Sequence, residues 1–447
     1  MSYSFHSPFY CILALLTINF SPLPAQNQGK QKPVLAFSLQ QAQDYAFDNN
    51  YDLKNSATDV KIAQKMVRQN TAIGLPQVNG EISYMDYIDI PTVLIPGFGA
   101  MQMGAKYNAT GKATLTQLVY SGQYLVGLQT AKAYLETAKQ KNLKDKIDVR
   151  DMVANAYYML LVTDEAIKIL DSTYVVVSRL VEDARKAQEQ GLIEDIEVDQ
   201  ADLNRSNLEA QLTDTKSSRN VAYANLKFVI GLKDDQEMTL TNDLTFFLVQ
   251  VDRDALVNQP FDYTRNIDYT LLKRSDYLTL MQYKLSKTAY QPTLAGFLGI
   301  QANAQRSEWN FFKEYQSWYR TSNWGLQLQV PIWSSGSRKY AVDQARLNVE
   351  KTKVTDEKMR VGLELQVETA KKDFSNAYAI YQNQKKGFDI ALKIYTKTMT
   401  KYRQGIASST DLNQRYTQFL TANSNYMQSI FVVLSQKTRL NKLLEQF

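Results

Sequence analysis

The stretch from Ser335 to Gln404 begins SGSRKYAVDQARLNVEKTK (335–353) and ends YTKTMTKYRQ (395–404). It contains no proline, and after its second residue only two glycines interrupt it. Apolar residues recur in it at spacings of three and four, which is the period of an α-helix. A continuous helix of this length would extend on the order of 100 Å, whereas helices of globular domains average about 11–12 residues. The stretch therefore predicts a long helical rod.

A second stretch of the same kind runs from Gly122 to Gln190, and the two stretches belong to an internal repeat. The sequence LVYSG ending at Gly122 matches PIWSSG ending at Gly336, an offset of 214 residues. At the same offset, QG at 190–191 matches QG at 404–405. A constant offset of this size indicates duplication within one fold rather than a short solenoid unit.

Each repeat also contains two segments in which apolar and polar residues alternate, which is the period of a β-strand. They lie at about 78–90, 108–119, 294–306 and 322–333. Strands of this length with one apolar face are typical of outer-membrane β-barrels. The alternative is a soluble β-sandwich, which would leave the rods nowhere to pack. Four strands are too few to close a barrel, and an open sheet edge is not tolerated in lipid. Several chains must therefore share one barrel, in a number that the spacing leaves open.

The domain organisation follows from the repeat. We expect a signal peptide, a linker, repeat 1, a connecting segment and repeat 2, at 1–25, 26–37, 38–230, 231–262 and 263–447. The long helices are expected at 122–190, 196–230, 336–403 and 410–445. A single helix over 38–74 should precede the first strand.

The apolar run FYCILALLTINF at 9–20, followed by SPLPA, predicts a signal peptide cleaved after Ala25. A buried N-terminal helix is the alternative. The one cysteine, Cys11, and the one histidine, His6, both lie in this segment. After cleavage the chain would have no Cys or His for a metal site, a thiol nucleophile or a Ser–His–Asp triad.

Composition narrows the function classes. The net charge is +6, with basic residues spread along the helices rather than in one stripe, so we expect no nucleic acid partner. There is no glycine-rich phosphate-binding motif. We therefore predict that the protein is not an enzyme and has no cofactor or metal. A conduit and a structural coiled-coil protein of the cell surface remain as alternatives, and the lack of sustained heptads opposes the second.

The chain resembles the TolC family of outer membrane efflux proteins, the outer membrane factors, over about 38–445. The matching segments are GLPQVNGEISY and YQPTLAGFLGI at the strand entries, LTQLVYSG and LQVPIWSSG at the strand exits, and QGLIEDIEVDQA and YRQGIASSTDLNQ at the turns. The resemblance implies a mainly α homotrimer whose chains each give four strands to a shared 12-strand outer-membrane β-barrel, continued by a long periplasmic α-helical barrel. It implies docking on a periplasmic adaptor and an inner-membrane transporter, and passive conduction in efflux or type I secretion. The cargo stays open, because the partner proteins would select it.

The resemblance also assigns candidate site residues. It places the two turns at the periplasmic tip, where the tunnel narrows and the adaptor binds. The expected tip residues are Gly191, Glu194, Glu197, Gly405 and Ser408. The acidic run containing Glu194 and Glu197 fits a solvated face or an adaptor contact.

Two further positions are expected at the tunnel entrance. Asp411 is at the first of two places where the family has aspartates that ring the entrance and can bind cations. Gln414 is at the second, so the second carboxylate ring is missing. Asp411 fits equally well as a helix N-terminal charge favoured by the dipole.

Aromatic residues are expected at the membrane interfaces. The candidates are Trp318, Tyr319, Trp324 and Trp333. The many tyrosines at helical spacings in the rods fit packing between helices better than substrate binding.

Overall fold

The structure, a computed structural model, describes residues 34–233 and 235–444. The predicted signal peptide, 1–25, lies outside the described residues, as does most of the predicted linker. Both repeats have the same order of elements: helix, strand, strand, very long helix, turn and long helix.

Repeat 1 starts with a short strand and two helices: β1 (Leu35–Phe37), α1 (Leu39–Asn49) and α2 (Tyr51–Ile73). Two long strands flank a small hairpin: β2 (Gln77–Asp86), β3 (Thr92–Ile95), β4 (Gly99–Gln102) and β5 (Tyr107–Ser121). The two long helices follow: α3 (Gly122–Glu189) and α4 (Asp195–Ile230). With 68 residues, α3 would extend roughly 100 Å.

A connecting segment with three short elements leads to repeat 2: β6 (Met238–Leu240), α5 (Leu244–Val249) and α6 (Arg253–Val257). Repeat 2 then has one helix and two strands: α7 (Ile267–Lys287), β7 (Thr293–Arg306) and β8 (Tyr319–Gln329). It ends with the second pair of long helices: α8 (Ser337–Arg403) and α9 (Ser409–Leu444).

The four long strands form one antiparallel sheet in the order β2-β5-β7-β8. β5 and β7, the inner strands, come from different repeats and pair along almost their full length. Strands β2 and β8 are therefore the two edges of the sheet within one chain.

Below the sheet, each half of α3 packs on different neighbours. Its first half lies between α2 and α7, where Asp145 accepts from Ser56 and Lys144 pairs with Asp268 at 2.9 Å. Its second half lies between α4 and α9, and Arg219 of α4 pairs with Asp164. α8 packs on α7 near the sheet and on α9 farther from the sheet.

The core lies where the rods cross the connecting segment. The ring of Tyr157 is fully buried there, and its hydroxyl donates to the Phe37 carbonyl at 3.0 Å. Phe374 and Leu434 are also fully buried in this cluster. A second cluster nearer the turns contains stacked rings of Tyr395 and Phe419, with centroids 5.4 Å apart.

The predicted helix over 38–74 is wrong in one respect, because it breaks at Asn50. The Asn50 side chain accepts from the N–H groups of Asp52 and Leu53 and donates to the Val229 carbonyl at 2.7 Å. It thus caps α2 and anchors the break to α4. The predicted linker is also wrong at 35–37, since this segment forms β1 and pairs in parallel with β6.

Two predicted strand ends are wrong. The strand predicted over 78–90 ends at Asp86, where the chain leaves the ladder with β5 and turns into the β3–β4 hairpin. The strand predicted over 322–333 runs from Tyr319 to Gln329. Pro331 has no N–H for a ladder, so Trp333 lies beyond the strand.

Candidate functional site

The four-stranded sheet has one apolar and one polar face across all four strands. The register brings apolar residues of one parity into the same rows, such as Val78, Leu115, Leu298 and Trp324. The intervening rows hold amides and hydroxyls, such as Ser83, Thr110, Asn303 and Tyr319. An apolar outer face and a polar inner face are the pattern of a membrane β-barrel with an aqueous lumen.

The predicted interface aromatics lie at different places on this sheet. Trp324 is in the middle of β8 on the apolar face and is 79% exposed. Trp333 is past the end of β8 and is 83% exposed. Trp318 lies just before β8 and packs against Phe311 with centroids 6.3 Å apart. Tyr319 pairs with Asn303 and so falls on the polar face.

At the other end of the molecule, the two turns are built alike. Gly191 and Gly405 have left-handed φ values of 70° and 71°, which other residues adopt at a cost. The Gly191 N–H donates to the Gln188 carbonyl at 2.8 Å, and the Leu192 N–H donates to Ala187 at 2.9 Å. This pair of bonds is a Schellman motif, which stops the helix and satisfies its last carbonyls.

The second turn repeats the motif at the end of α8. The Gly405 N–H donates to the Tyr402 carbonyl and the Ile406 N–H donates to the Lys401 carbonyl, both at 2.9 Å. Both long helices therefore reverse direction through the same backbone geometry, as the offset between the repeats predicts.

The helices that follow the turns are capped differently. Ser408 accepts from the backbone N–H of Asp411 at 3.1 Å and donates its hydroxyl to the Asp411 carboxylate at 2.9 Å. Asp411 is thus part of the cap of α9, and its exposed carboxylate also lies where the helix dipole favours a negative charge. Glu194 occupies the cap position of α4 without a side-chain cap bond. Gln414 is exposed one turn farther along α9.

Two contacts join the helices next to the two turns. The Tyr402 hydroxyl donates to Glu197 Oε2 at 3.3 Å, and Arg403 lies 3.9 Å from the Asp183 carboxylate. Burial, together with the neighbouring Glu197 carboxylate, raises the pKa of the Tyr402 phenol, so it stays a donor at neutral pH. In the sequence, Tyr402 is one of many tyrosines at helical spacings, and no local signal marks Arg403 or Asp183, because their partners lie in the other repeat.

A cleft of about 540 Å³ separates the two turns. Its walls carry apolar side chains from α3 and the first turn, and the polar groups of Glu197, Tyr402 and Arg403. Exposed apolar residues surround it: Leu192, Ile196 and Ile406 are each at least 65% exposed. Such a surface is typical of a protein-binding site.

Two other features, a metal site and a membrane-spanning helix, are absent from the described residues. Over 34–233 and 235–444, no three acidic or other ligating side chains come together in a way that could hold a metal ion. Within the same ranges, none of the helices has a stretch with the length and hydropathy needed to cross a bilayer.

Comparison with known structures shows the fold. The chain superimposes on the CmeC outer membrane channel of Campylobacter jejuni with a TM-score of 0.69 and 16% identity, covering 97% of this chain and 93% of that one. For the outer membrane protein VceC of Vibrio cholerae the values are 0.67, 15%, 91% and 95%. For the open state of the MtrE outer membrane channel of Neisseria gonorrhoeae they are 0.68, 15%, 91% and 88%. No curated protein matches the chain significantly in sequence.

The family of the chain follows from a match over most of its length. The model of the family described as outer membrane efflux protein matches residues 43–232 and 278–444, which is most of both repeats. The structural matches confirm the predicted fold class, and the family match confirms the predicted outer-membrane location and efflux-channel function. The family consists of transport channels, and nothing supports the alternative of a structural coiled-coil protein. The chain belongs to the outer membrane efflux protein family.

Proposed function

We propose that three copies of this chain form one conduit, a 12-strand barrel in the outer membrane that continues into a tunnel of helices in the periplasm. The conduit serves a tripartite efflux or type I secretion system and conducts substrates passively. The observation that carries this proposal is that both lateral edges of the described chain are unfinished. In the sheet and along the helices, each edge has a packing partner on one side only.

In the sheet, the unfinished edges are strands β2 and β8. Each has a partner on one side only within the described chain. In lipid, the free N–H and C=O groups of an open edge would each cost several kcal/mol. Pairing β8 of one chain with β2 of the next removes both edges at once.

The rods show the same feature along α8. One face of α8 is used within the chain, since Asp356 pairs with Lys273 of α7 at 2.5 Å. Val354, which projects from the other side of the helix, is 71% exposed. It belongs to a row of exposed apolar residues that are seven positions apart and lie on the side of α8 away from α7: Tyr340, Leu347, Val354 and Val361. We call this row the seam, because exposed apolar residues along one face of a helix pack against a neighbouring helix.

The opposite edge of the chain has matching apolar faces on α2 and α4. On each helix these residues lie on the side away from α3. They are Tyr51, Ile62, Met66 and Ile73 on α2, and Leu203, Val221 and Phe228 on α4. The α8 edge of one chain can therefore pack against the α2 and α4 edge of the next.

The two edges differ from each other, so the contact between chains is head-to-tail. Repeated head-to-tail contacts close into a ring when the rotation allows it. Because β2 and α2 are on the same edge, one rotation closes barrel and tunnel together. The number three is taken from the family resemblance and gives 12 strands from four per chain.

The turns at the tip are proposed to bind the periplasmic adaptor. Gly191 and Gly405 shape the two turns, and Glu194, Glu197 and Ser408 lie between or beside them. The exposed apolar residues around the cleft support a protein partner, and the inner-membrane transporter would stand beyond the adaptor. Asp411 is proposed to form a single carboxylate ring at the entrance.

The test is the assembly state of Val354→Lys. A lysine in the middle of the seam places a charge in each chain contact, so the purified variant should run as single chains in detergent while the wild type runs as trimers. Thr355→Lys is the matched control, because Thr355 is exposed on a different side of α8. Trimers of Val354→Lys that are as stable as the wild type would contradict the proposed edge contact.

A further inference from the structure

We propose that Glu81 and Lys112 form a cross-strand pair that keeps the lumen of the barrel electrically neutral, so that the barrel sorts solutes by size and not by the sign of their charge. This inference rests on the proposed shared barrel. It concerns the charge selectivity of the barrel, whereas the proposed Asp411 ring lies at the other end of the conduit.

The two residues face each other directly in the sheet. Glu81 of β2 is the register partner of Lys112 of β5, and the row continues through Gln301 and Thr321. Partners in an antiparallel pair project from the same face, with Cβ atoms about 4.5–5.5 Å apart. Both side chains are exposed in the single chain, as expected for groups that line an aqueous pore.

The rest of this face has no charge to offset. In the described strands, its other members are amides, hydroxyls, small residues and a few apolar groups. The polar ones are Gln77, Asn79, Ser83, Asn108, Thr110, Thr114, Thr116, Ser121, Thr293, Gln301, Asn303, Gln305, Tyr319, Thr321, Asn323, Gln327 and Gln329. Some already bond to one another, as Thr110 does to Asn303 at 3.0 Å. Among strand residues of β2, β5, β7 and β8, Glu81 and Lys112 are thus the charged ones on the polar face.

The consequence is electrostatic. In a trimer, three carboxylates and three ammonium groups would lie at one level of the pore, each on the strand next to that of its opposite. The fields of such a pair cancel beyond a few ångströms, and salt screens the remainder over about 8 Å. Removing one member of the pair would leave a ring of three like charges, and such rings select ions of opposite sign.

The pair also explains why two charged residues lie together on a strand face that otherwise has uncharged residues. A lone Lys or Glu in the row would repel its symmetry copies and attract counter-ions into the pore. With both present, the row has the same net charge as the amide rows on either side of it.

The test is the reversal potential of single channels in a KCl gradient, with each variant compared with the wild type. Lys112→Gln should shift the cation-to-anion permeability ratio upward by about threefold, and Glu81→Gln should shift it downward by a similar factor. The double variant Glu81→Gln with Lys112→Gln should return close to the wild-type ratio.

Arg320→Gln is the matched control. It also removes one charge, in the neighbouring row, but Arg320 pairs with Ala302 on the apolar face and should leave the ratio unchanged. Unchanged ratios in both single variants would overturn the inference, as would a double variant that differs from the wild type as much as either single one. If one single variant does not assemble, the other gives the mirrored test. A wild-type protein that forms no channel would instead contradict the proposed function.

Discussion

The phenol of Tyr402 donates to the carboxylate of Glu197 across 3.3 Å, and it joins the end of α8 to the start of α4. The two residues are 205 positions apart and belong to different repeats. Both residues line the cleft between the turns, so the bond links the helix that enters one turn to the helix that leaves the other.

Removing this bond should lower the local stability of the two turns. Tyr402→Phe keeps the ring and deletes the donor, and we expect a loss of about 1 kcal/mol in local stability. Amide hydrogen exchange at 188–197 and 402–408 should therefore become faster, while exchange in the core near Phe374 stays unchanged. Tyr277→Phe, which alters an exposed ring on α7, is the control. Equal exchange in wild type and Tyr402→Phe would show that the bond does not hold the turns.

The glycines of the turns should be required for their backbone conformation alone. A Cβ at Gly191 or Gly405 would meet no atom within 4 Å, but both residues have positive φ. Alanine at either site should lower the free energy of unfolding by about 1 kcal/mol. Gly387→Ala should do the opposite, because Gly387 is inside α8 with open space around it, and should stabilise by about 0.5–1 kcal/mol. Chemical denaturation of the three variants measures this, and equal effects would contradict the account.

The buried and half-buried tyrosines of the long helices should make the protein sensitive to alkali. Burial raises the pKa of Tyr426 to about 12 and raises the pKa values of Tyr395 and Tyr416 as well, against 10.0 in the unfolded chain. Between these values the folded state holds more protons, so the stabilisation is complete below about pH 10 and is lost as the pH rises above it.

Thermal unfolding between pH 9 and pH 11.5 measures this loss. The decrease in Tm should be smaller in Tyr426→Phe than in the wild type, since the variant has one fewer phenol with a raised pKa. Tyr277→Phe should behave as the wild type. A wild-type Tm that is flat above pH 10 would count against the burial of these rings.

Asp411 should have two separable roles, as a cap and as a charge. Asp411→Ala and Asp411→Asn should both reduce the block of conductance by millimolar divalent cations, because the proposed carboxylate ring is lost. Ser408→Ala removes the cap acceptor and should cost about 1 kcal/mol of stability, but it keeps the charge and the cation response. If Asp411→Asn conducts and is blocked as the wild type is, Asp411 acts only as a cap.

The long helices and their turns could be predicted because their signals are local. The apolar spacing in 335–404 requires a helix whatever packs on it, and Gly405 marks its end in the sequence. The alternation after Val78 likewise fixes which strand residues share a face. Register then follows, because a slip of one residue would turn the apolar row of Leu298 toward the polar side.

The errors come from places where distant residues decide the structure. The break at Asn50 depends on a bond to Val229, far away in the chain. Strand β1 exists only because β6 pairs with it. Tyr402 and Glu197 meet through the packing of two repeats, and no local pattern distinguishes them from the other tyrosines and acidic residues of the rods. Pro331, by contrast, is a local signal for the end of β8, because it has no N–H for the ladder.

Conductance across a planar lipid bilayer tests the central claim most directly. The purified protein, reconstituted from detergent, should insert as trimers and give discrete, uniform conductance steps. Val354→Lys should give none under the same conditions, while Thr355→Lys should conduct as the wild type does. A protein that stays in solution without detergent and produces no steps would contradict the shared-barrel conduit.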